Sequence, residues 1–257
     1  MYFSKSQVAA LLLSTSSATA KAILDSRQDG VEDLGWGPVC RLQPTSSEII
    51  STTSTIYPGK MPQGQKGYLF AWIGIQGASA SGEQEGDLVQ SIVGSYPAGS
   101  SECSGPDADT TWCVSSEVYG KDESGNQFQL VGDKRTADVN YDNGIFINYT
   151  LADKSTYLWE QTMTDAVTGE VLATYKKTSG PMRFWNTAIE KQDSNGADPT
   201  GTNEPQYYVN TTIALAEADE SYSNGIYGSN GATFTDMTTS DGGKTWFIEK
   251  ITIPAMN

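Results

Sequence analysis

The sequence predicts an all-β chain, an antiparallel sandwich of two curved sheets, and three observations carry that expectation. Short runs rich in β-branched and aromatic residues recur from one end of the chain to the other. Turn signals such as Pro58-Gly59, Asp142-Asn143-Gly144, Thr168-Gly169 and Asp241-Gly242-Gly243 separate them. No stretch keeps a helical period. Many short strands at regular turn spacing argue for a sandwich rather than for alternating strands and helices.

Taken in order, residues 1–20 read as a secretory signal: Lys5, an apolar run at 8–13, and the cleavage pattern Ala18-Thr19-Ala20. Residues 21–35 are polar and read as a flexible N-terminus or short pro-segment, and 36–257 as one β-sandwich domain. Leu34-Gly35-Trp36-Gly37 opens the domain, and 48–57 is a Ser/Thr/Ile-rich strand. Residues 67–75 and 88–96 are neighbouring strands around a Gly/Ser/Glu-rich turn. Residues 114–119 with 127–131, and 156–165 with 170–175, are hairpins, and 145–151 is a strand between them. In 156–165, period two places Tyr157, Trp159, Gln161 and Met163 on one face. The stretch 180–205, rich in Gly, Pro and Asn, reads as irregular. Residues 207–217 are a long strand, and 233–239 with 245–253 close the chain as a hairpin.

Composition narrows the function. With 16 Lys and Arg against 31 Asp and Glu, the net charge is −15, which argues against nucleic acid or an anionic membrane as partner. In acid most of those carboxylates protonate, and so few basic residues limit the positive charge that accumulates. The chain contains no histidine. That removes Ser-His-Asp and Cys-His nucleophile sites and His-ligated zinc or copper. Neither a metal nor an organic cofactor is expected. The acidic cluster Glu217, Asp219 and Glu220 lacks the spacing of a calcium loop. Of three cysteines, Cys103 and Cys113 flank a hairpin-like loop and are the expected disulfide, whereas Cys40 is either buried and inert or an alternative partner. Asn148 and Asn210 head glycosylation sequons, meaningful on the secretory route that the leader implies. An extracellular monomer is the expectation.

One residue breaks the strand pattern. Gln90, an uncharged amide, sits between Val89 and Ile92 where an apolar residue is routine. Its surroundings resemble the eqolisins, the acid-acting glutamic peptidases of family G1. Trp36-Gly37 matches the family's opening Trp-Gly, and Ala71-Trp72-Ile73-Gly74-Ile75 its Ala-Trp-Val-Gly-Ile run. Leu88-Val89-Gln90-Ser91 matches Ile-Leu-Gln-Thr, Glu117-Val118-Tyr119 the end of a Trp-Tyr-Glu-Trp-Tyr stretch, and Thr168-Gly169-Glu170-Val171 the family's Thr-Gly-Gln-x-Val. Gly231-Ala232-Thr233-Phe234-Thr235 matches its late strand. The chain is similar to a divergent member, and the resemblance implies a concanavalin-like sandwich and an acid endopeptidase acting on protein or peptide substrates. It implies Gln90 as a catalytic residue, donating to the oxyanion, with a catalytic Glu that takes a proton from water. By order along the chain that residue is Glu217, with Glu190 as rival. Trp36, Trp72, Gln76, Glu117 and Tyr119 are the implied substrate-binding residues.

The sequence also departs from the family. Gln76 replaces an acid thought to orient the catalytic pair, Ser115 and Ser116 replace two aromatics, and about two dozen residues look inserted before Tyr207. Alternation along 207–217 turns Glu217 to the side of Ile213 and Leu215 unless a bulge near 214–216 intervenes, or the strand leaves the sheet. Two other readings therefore stand beside the peptidase: a lectin-like glycan-binding sandwich, and a secreted relative that keeps the fold without turnover.

Overall fold

The computed structural model describes residues 34–105, 107–108, 110–121, 124–192 and 203–255. The proposed leader and most of the proposed pro-segment lie outside these residues. Among them the strands are β1 (Leu34–Leu42), β2 (Ile49–Tyr57), β3 (Tyr68–Ala78), β4 (Gln84–Ser95), β5 (Cys113–Lys121), β6 (Gln127–Thr136), β7 (Ile145–Asp153), β8 (Leu158–Asp165), β9 (Val171–Thr178), β10 (Phe184–Gln192), β11 (Gln206–Leu215), β12 (Ile226–Ser229), β13 (Thr233–Phe234), β14 (Met237–Thr238) and β15 (Thr245–Ile253). Every pairing is antiparallel. The front sheet runs β12-β1-β10-β3-β4-β5-β6, and the back sheet β9-β8-β7-β2-β11-β15 with β13 and β14 on the far side of β15.

A single ladder step, Lys134 to Thr174, joins the sheets where β6 crosses to β9. Gly132 permits that crossing, because a Cβ there would lie 2.2 Å from the Thr174 carbonyl oxygen. The main core fills the space between the sheets. Leu69, Ala71, Ile73 and Ile75 of β3, Val89 and Val93 of β4, and Trp185 and Ile189 of β10 meet Ile147 and Tyr149 of β7, Trp159 and Met163 of β8, and Ile213 and Leu215 of β11. Their alternation follows from the two-residue pleat, which sends successive side chains to opposite faces. The reading of β8 holds for Trp159, Gln161 and Met163, all buried, whereas Tyr157 precedes the strand at φ 54°.

One expectation is overturned. Residues 184–192 are not irregular: β10 is a full strand seated between β1 and β3. Trp185, Thr187 and Ile189 form its core-facing phase, while Asn186 and Glu190 in the other phase are also buried. Buried polar residues in alternate positions, next to Gly180-Pro181, give the stretch the look of a loop.

Cys103 and Cys113 form the expected disulfide, and Cys40 is free and buried. Burial pushes the Cys40 thiol up to about 12. Its thiolate, the reactive form, is therefore scarce at neutral pH. Iodoacetamide is expected to leave the native protein unlabelled and to label one thiol after denaturation without reductant; rapid native labelling, read by intact mass, contradicts this burial.

Candidate functional site

Gln90 lies in the middle of β4 on the front sheet's outer face, turned away from the back sheet. It pairs with Gly74 of β3 on one side and Glu117 of β5 on the other. Gly74 pairs in turn with Asn186 of β10. One row across the sheet thus reads Asn186, Gly74, Gln90, Glu117. Directly opposed residues share a face, so the three polar side chains stand together around the glycine. A Cβ on Gly74 would come within 2.9 Å of the Leu88 Cδ1 and of the Val89 carbonyl oxygen, and 3.3 Å from the Gln90 Cβ. Glycine at 74 makes a notch in the row, into which the Leu88 side chain leans.

The row above and below is apolar. Tyr68, Phe70, Trp72, Leu88, Ile92, Tyr96 and Tyr119 form a second buried cluster on this face, joined by Cys103, Cys113 and Ala188, with Trp36 packed against it. Trp36 and Trp72 meet edge to face with centroids 6.1 Å apart. The implied substrate-binding residues therefore do gather: Trp36, Trp72, Glu117 and Tyr119 belong to the face of Gln90. Gln76 stands at its margin, paired with Phe184 and Leu88, with its Nε2 donating to the Gly86 carbonyl at 3.3 Å.

Polar bonds link the site's centre. Gln90 Nε2 donates to Gln129 Oε1 at 3.1 Å. Gln129 Nε2 and Ser115 Oγ donate to the two carboxylate oxygens of Glu117. Gln90 Oε1, Asn186 Oδ1 and Trp72 Nε1 are buried and have no hydrogen-bond partner among the described residues. Burying a polar atom without a partner costs about 1–3 kcal/mol, so three on one face are informative.

From behind, the back sheet reaches through to the floor of the site. Tyr149 Oη donates to the Ile73 carbonyl at 2.8 Å, and Tyr208 Oη to the Trp72 carbonyl at 3.3 Å. Gln161 Nε2 of β8 donates to the Glu117 carbonyl at 2.8 Å, and within the front sheet Thr187 Oγ1 of β10 donates to the Trp72 carbonyl at 2.7 Å. Burial pushes both tyrosine phenols well above their ordinary range, so they stay donors across any working pH.

The structure does not bring Glu217 to Gln90. Glu217 follows the end of β11 on the back sheet, is exposed, and donates its amide to Ser47 Oγ at 2.8 Å. It lines an open cleft with Glu48, Lys154 and Arg183. The alternation problem resolves as the sequence allowed: the register of β11 against β2 shifts between Ala214 and Leu215, and the strand ends at Leu215, before Glu217; a second irregularity lies at Asn210 (φ 53°), between Val209 and Thr212. Asn210 is exposed there. Glu190 does share the face of Gln90, beside Trp36 and Phe70, and its Oε1 accepts from Gln192 Nε2 at 2.6 Å. It stands four residues along β10 from Asn186, roughly 13 Å at the strand rise. The residue that faces Gln90 across the notch is Asn186. Sequence reasoning passed over it; the period-two pattern of Trp185, Thr187 and Ile189 was the available signal.

No family model matches the chain. No curated protein matches it either. Among solved structures the chain is similar to scytalido-glutamic peptidase with a peptide-based transition state analog, at 16% identity and TM-score 0.45, covering 85% of this chain and 98% of that one. It is similar to SCP-B, a member of the eqolisin family in complex with the tripeptide Ala-Ile-His, at 15% identity and TM-score 0.46 over 85% and 98% of the two chains. The exoplasmic/lumenal domain of VIP36, in a Ca2+- and Man2-bound form, is similar at 12% identity and TM-score 0.35 over 65% and 76%. At these values the likenesses carry no residue roles to this chain.

Proposed function

We propose that the protein is a secreted, acid-tolerant peptide-binding protein whose peptidase-like front face holds extended peptides without cutting them. One observation carries this reading: the group facing Gln90 across Gly74 is the amide of Asn186. Hydrolysis by activated water needs a proton acceptor and an oxyanion donor on either side of one carbonyl. Asn186 cannot accept the proton. One N–H of Gln90 is held by Gln129, and its Oε1 is a buried acceptor without a partner among the described residues. Acceptors suit the N–H groups of a bound peptide and not a developing oxyanion. Trp36 and Trp72 supply apolar walls for its side chains.

A second reading, peptide hydrolysis, is favoured by the position of Glu117. Its carboxylate is the direct cross-strand neighbour of Gln90. If the protein cuts peptides, Glu117 is the proton acceptor, its two carboxylate oxygens oriented by Ser115 and Gln129.

The two readings separate in one experiment. Purified protein is mixed with a denatured protein substrate near pH 3–4, where carboxylates titrate, and both cleavage and peptide binding are followed. Binding without cleavage is expected. Cleavage abolished by Glu117→Gln establishes the second reading in place of the first. Cleavage abolished by Glu217→Gln but not by Glu117→Gln overturns both and restores the distant pair. Absence of binding, with capture on a glycan array instead, overturns the peptide reading altogether.

A further inference from the structure

We infer that Asn186 and Gln90 form a two-acceptor clamp over the Gly74 notch, selecting ligands that present two peptide N–H groups on one side of an extended chain. The inference rests on the peptide-binding reading above and goes further, naming the groups recognised and a selectivity residue on β10.

Four observations support it. Asn186 and Gln90 belong to one cross-strand row with Gly74 between them. Neither side chain is more than 4% exposed, and each keeps one oxygen without a partner among the described residues. Residue 74 itself puts no side chain between the two amides, and the Leu88 Cδ1 leans in to 2.9 Å from where its Cβ would stand. Trp72, one pleat along β3, adds a buried indole N–H also without a described partner.

Spacing agrees with this chemistry. Two strand steps separate Asn186 from Gln90, about 9–10 Å between backbones. Same-side N–H groups of an extended chain repeat at about 7 Å. A lean of about an ångström from each amide toward Gly74, with the Leu88 side chain turning aside, brings the two oxygens to that repeat. The Trp72 N–H is then available to a carbonyl of the same chain. All three groups keep their charge state at every working pH, so this recognition does not titrate. Their burial means that a ligand reaches them only as the face opens, and association slower than about 10⁵ M⁻¹s⁻¹ is expected.

The test uses a fluorescently labelled peptide of alternating alanine and isoleucine, six residues long, acetylated and amidated at its ends. It is compared with single N-methyl versions that each delete one N–H. With wild type, methylation at two positions separated by one residue is expected to weaken binding about tenfold, and at the others much less, the scale of one unmade buried hydrogen bond. Asn186→Leu is expected to lose about tenfold for the parent peptide and to become indifferent to one of those two methylations. Asn186→Asp keeps the acceptor. It should bind the parent peptide at neutral pH and lose affinity in acid as its carboxyl protonates, while wild type does not. That pH dependence is one a merely structural role for residue 186 would not create. Equal binding by wild type and Asn186→Leu, or equal losses at every methylated position, overturns the clamp while leaving peptide binding intact. Failure of every peptide to bind wild type overturns the underlying reading as well. Should Asn186→Leu not fold, judged by circular dichroism, the methylation series on wild type and the Asn186→Asp pH profile decide.

Discussion

Trp185→Ala is expected to remove about 3–5 kcal/mol of stability, the usual cost of emptying a large aromatic site in a packed core. Trp185 is fully buried in the inter-sheet core on β10, between β1 and β3. Small domains hold only about 5–15 kcal/mol in total. The variant should therefore unfold about 10 °C or more below wild type, with a lower urea midpoint. The consequence for function is direct. Asn186 is the next residue on the same strand, so peptide binding should fall as the strand loosens, although Trp185 faces away from the ligand. Trp185→Phe, which keeps most of the volume, should retain most of both. A loss under about 1 kcal/mol for the alanine variant contradicts the placement of β10 in the core.

Asp219→Asn should give the second large effect, and one that depends on pH. The Asp219 carboxylate accepts from Thr45 Oγ1 at 2.9 Å, Ser46 N at 2.7 Å, Ser221 N at 3.1 Å and Ser221 Oγ at 2.7 Å. It thereby ties the turn before β2 to the loop after β11. Burial pushes its pKa up, but bonds from Ser221, Ser46 and Thr45 outweigh burial and hold it well below the ordinary carboxylate range. The folded value lies below the unfolded one near 3.9. Its contribution is therefore complete above about pH 4 and is lost as pH falls toward the folded value. At pH 6 the amide variant should be roughly 2–4 kcal/mol less stable, the scale of charge-assisted bonds made or left unmade. The gap between the two proteins should narrow steadily below pH 4 in urea titrations. A gap that stays constant to pH 2 contradicts the assignment. Asp241 follows the same direction: bonds from Thr245 and Lys244 hold it to about 2.

Much of the fold was legible because period and punctuation agreed. The run 48–57, the pair around Gln90, and the hairpin at Thr168-Gly169 all became strands near their expected bounds, since apolar alternation and turn residues pointed the same way. The strand that matters most to the site was not legible. In β10 both faces are buried, and the outward phase carries Asn186 and Glu190, so no hydrophobic run announces it. With that stretch read as an insertion, the acid expected beside Gln90 fell by order on Glu217, which follows β11 of the back sheet. Gln90 itself could be singled out because an amide in an apolar strand is anomalous. Asn186, in a stretch already read as loop, was not anomalous there. The bulge at Asn210 was similarly hidden, since nothing in Val209-Asn210-Thr211 demands a left-handed residue until the cross-strand register is known.

The hydroxyls of Tyr149 and Tyr208, with the amide of Gln161, fasten the backbone beneath Trp72, Gly74 and Glu117 to the opposite layer. A plate riveted in this way has little freedom to reshape itself around different guests. New preferences should then arise by exchanging what protrudes from the plate, one residue at a time. An engineer could equally work from the reverse side, trimming a rivet to let the floor give.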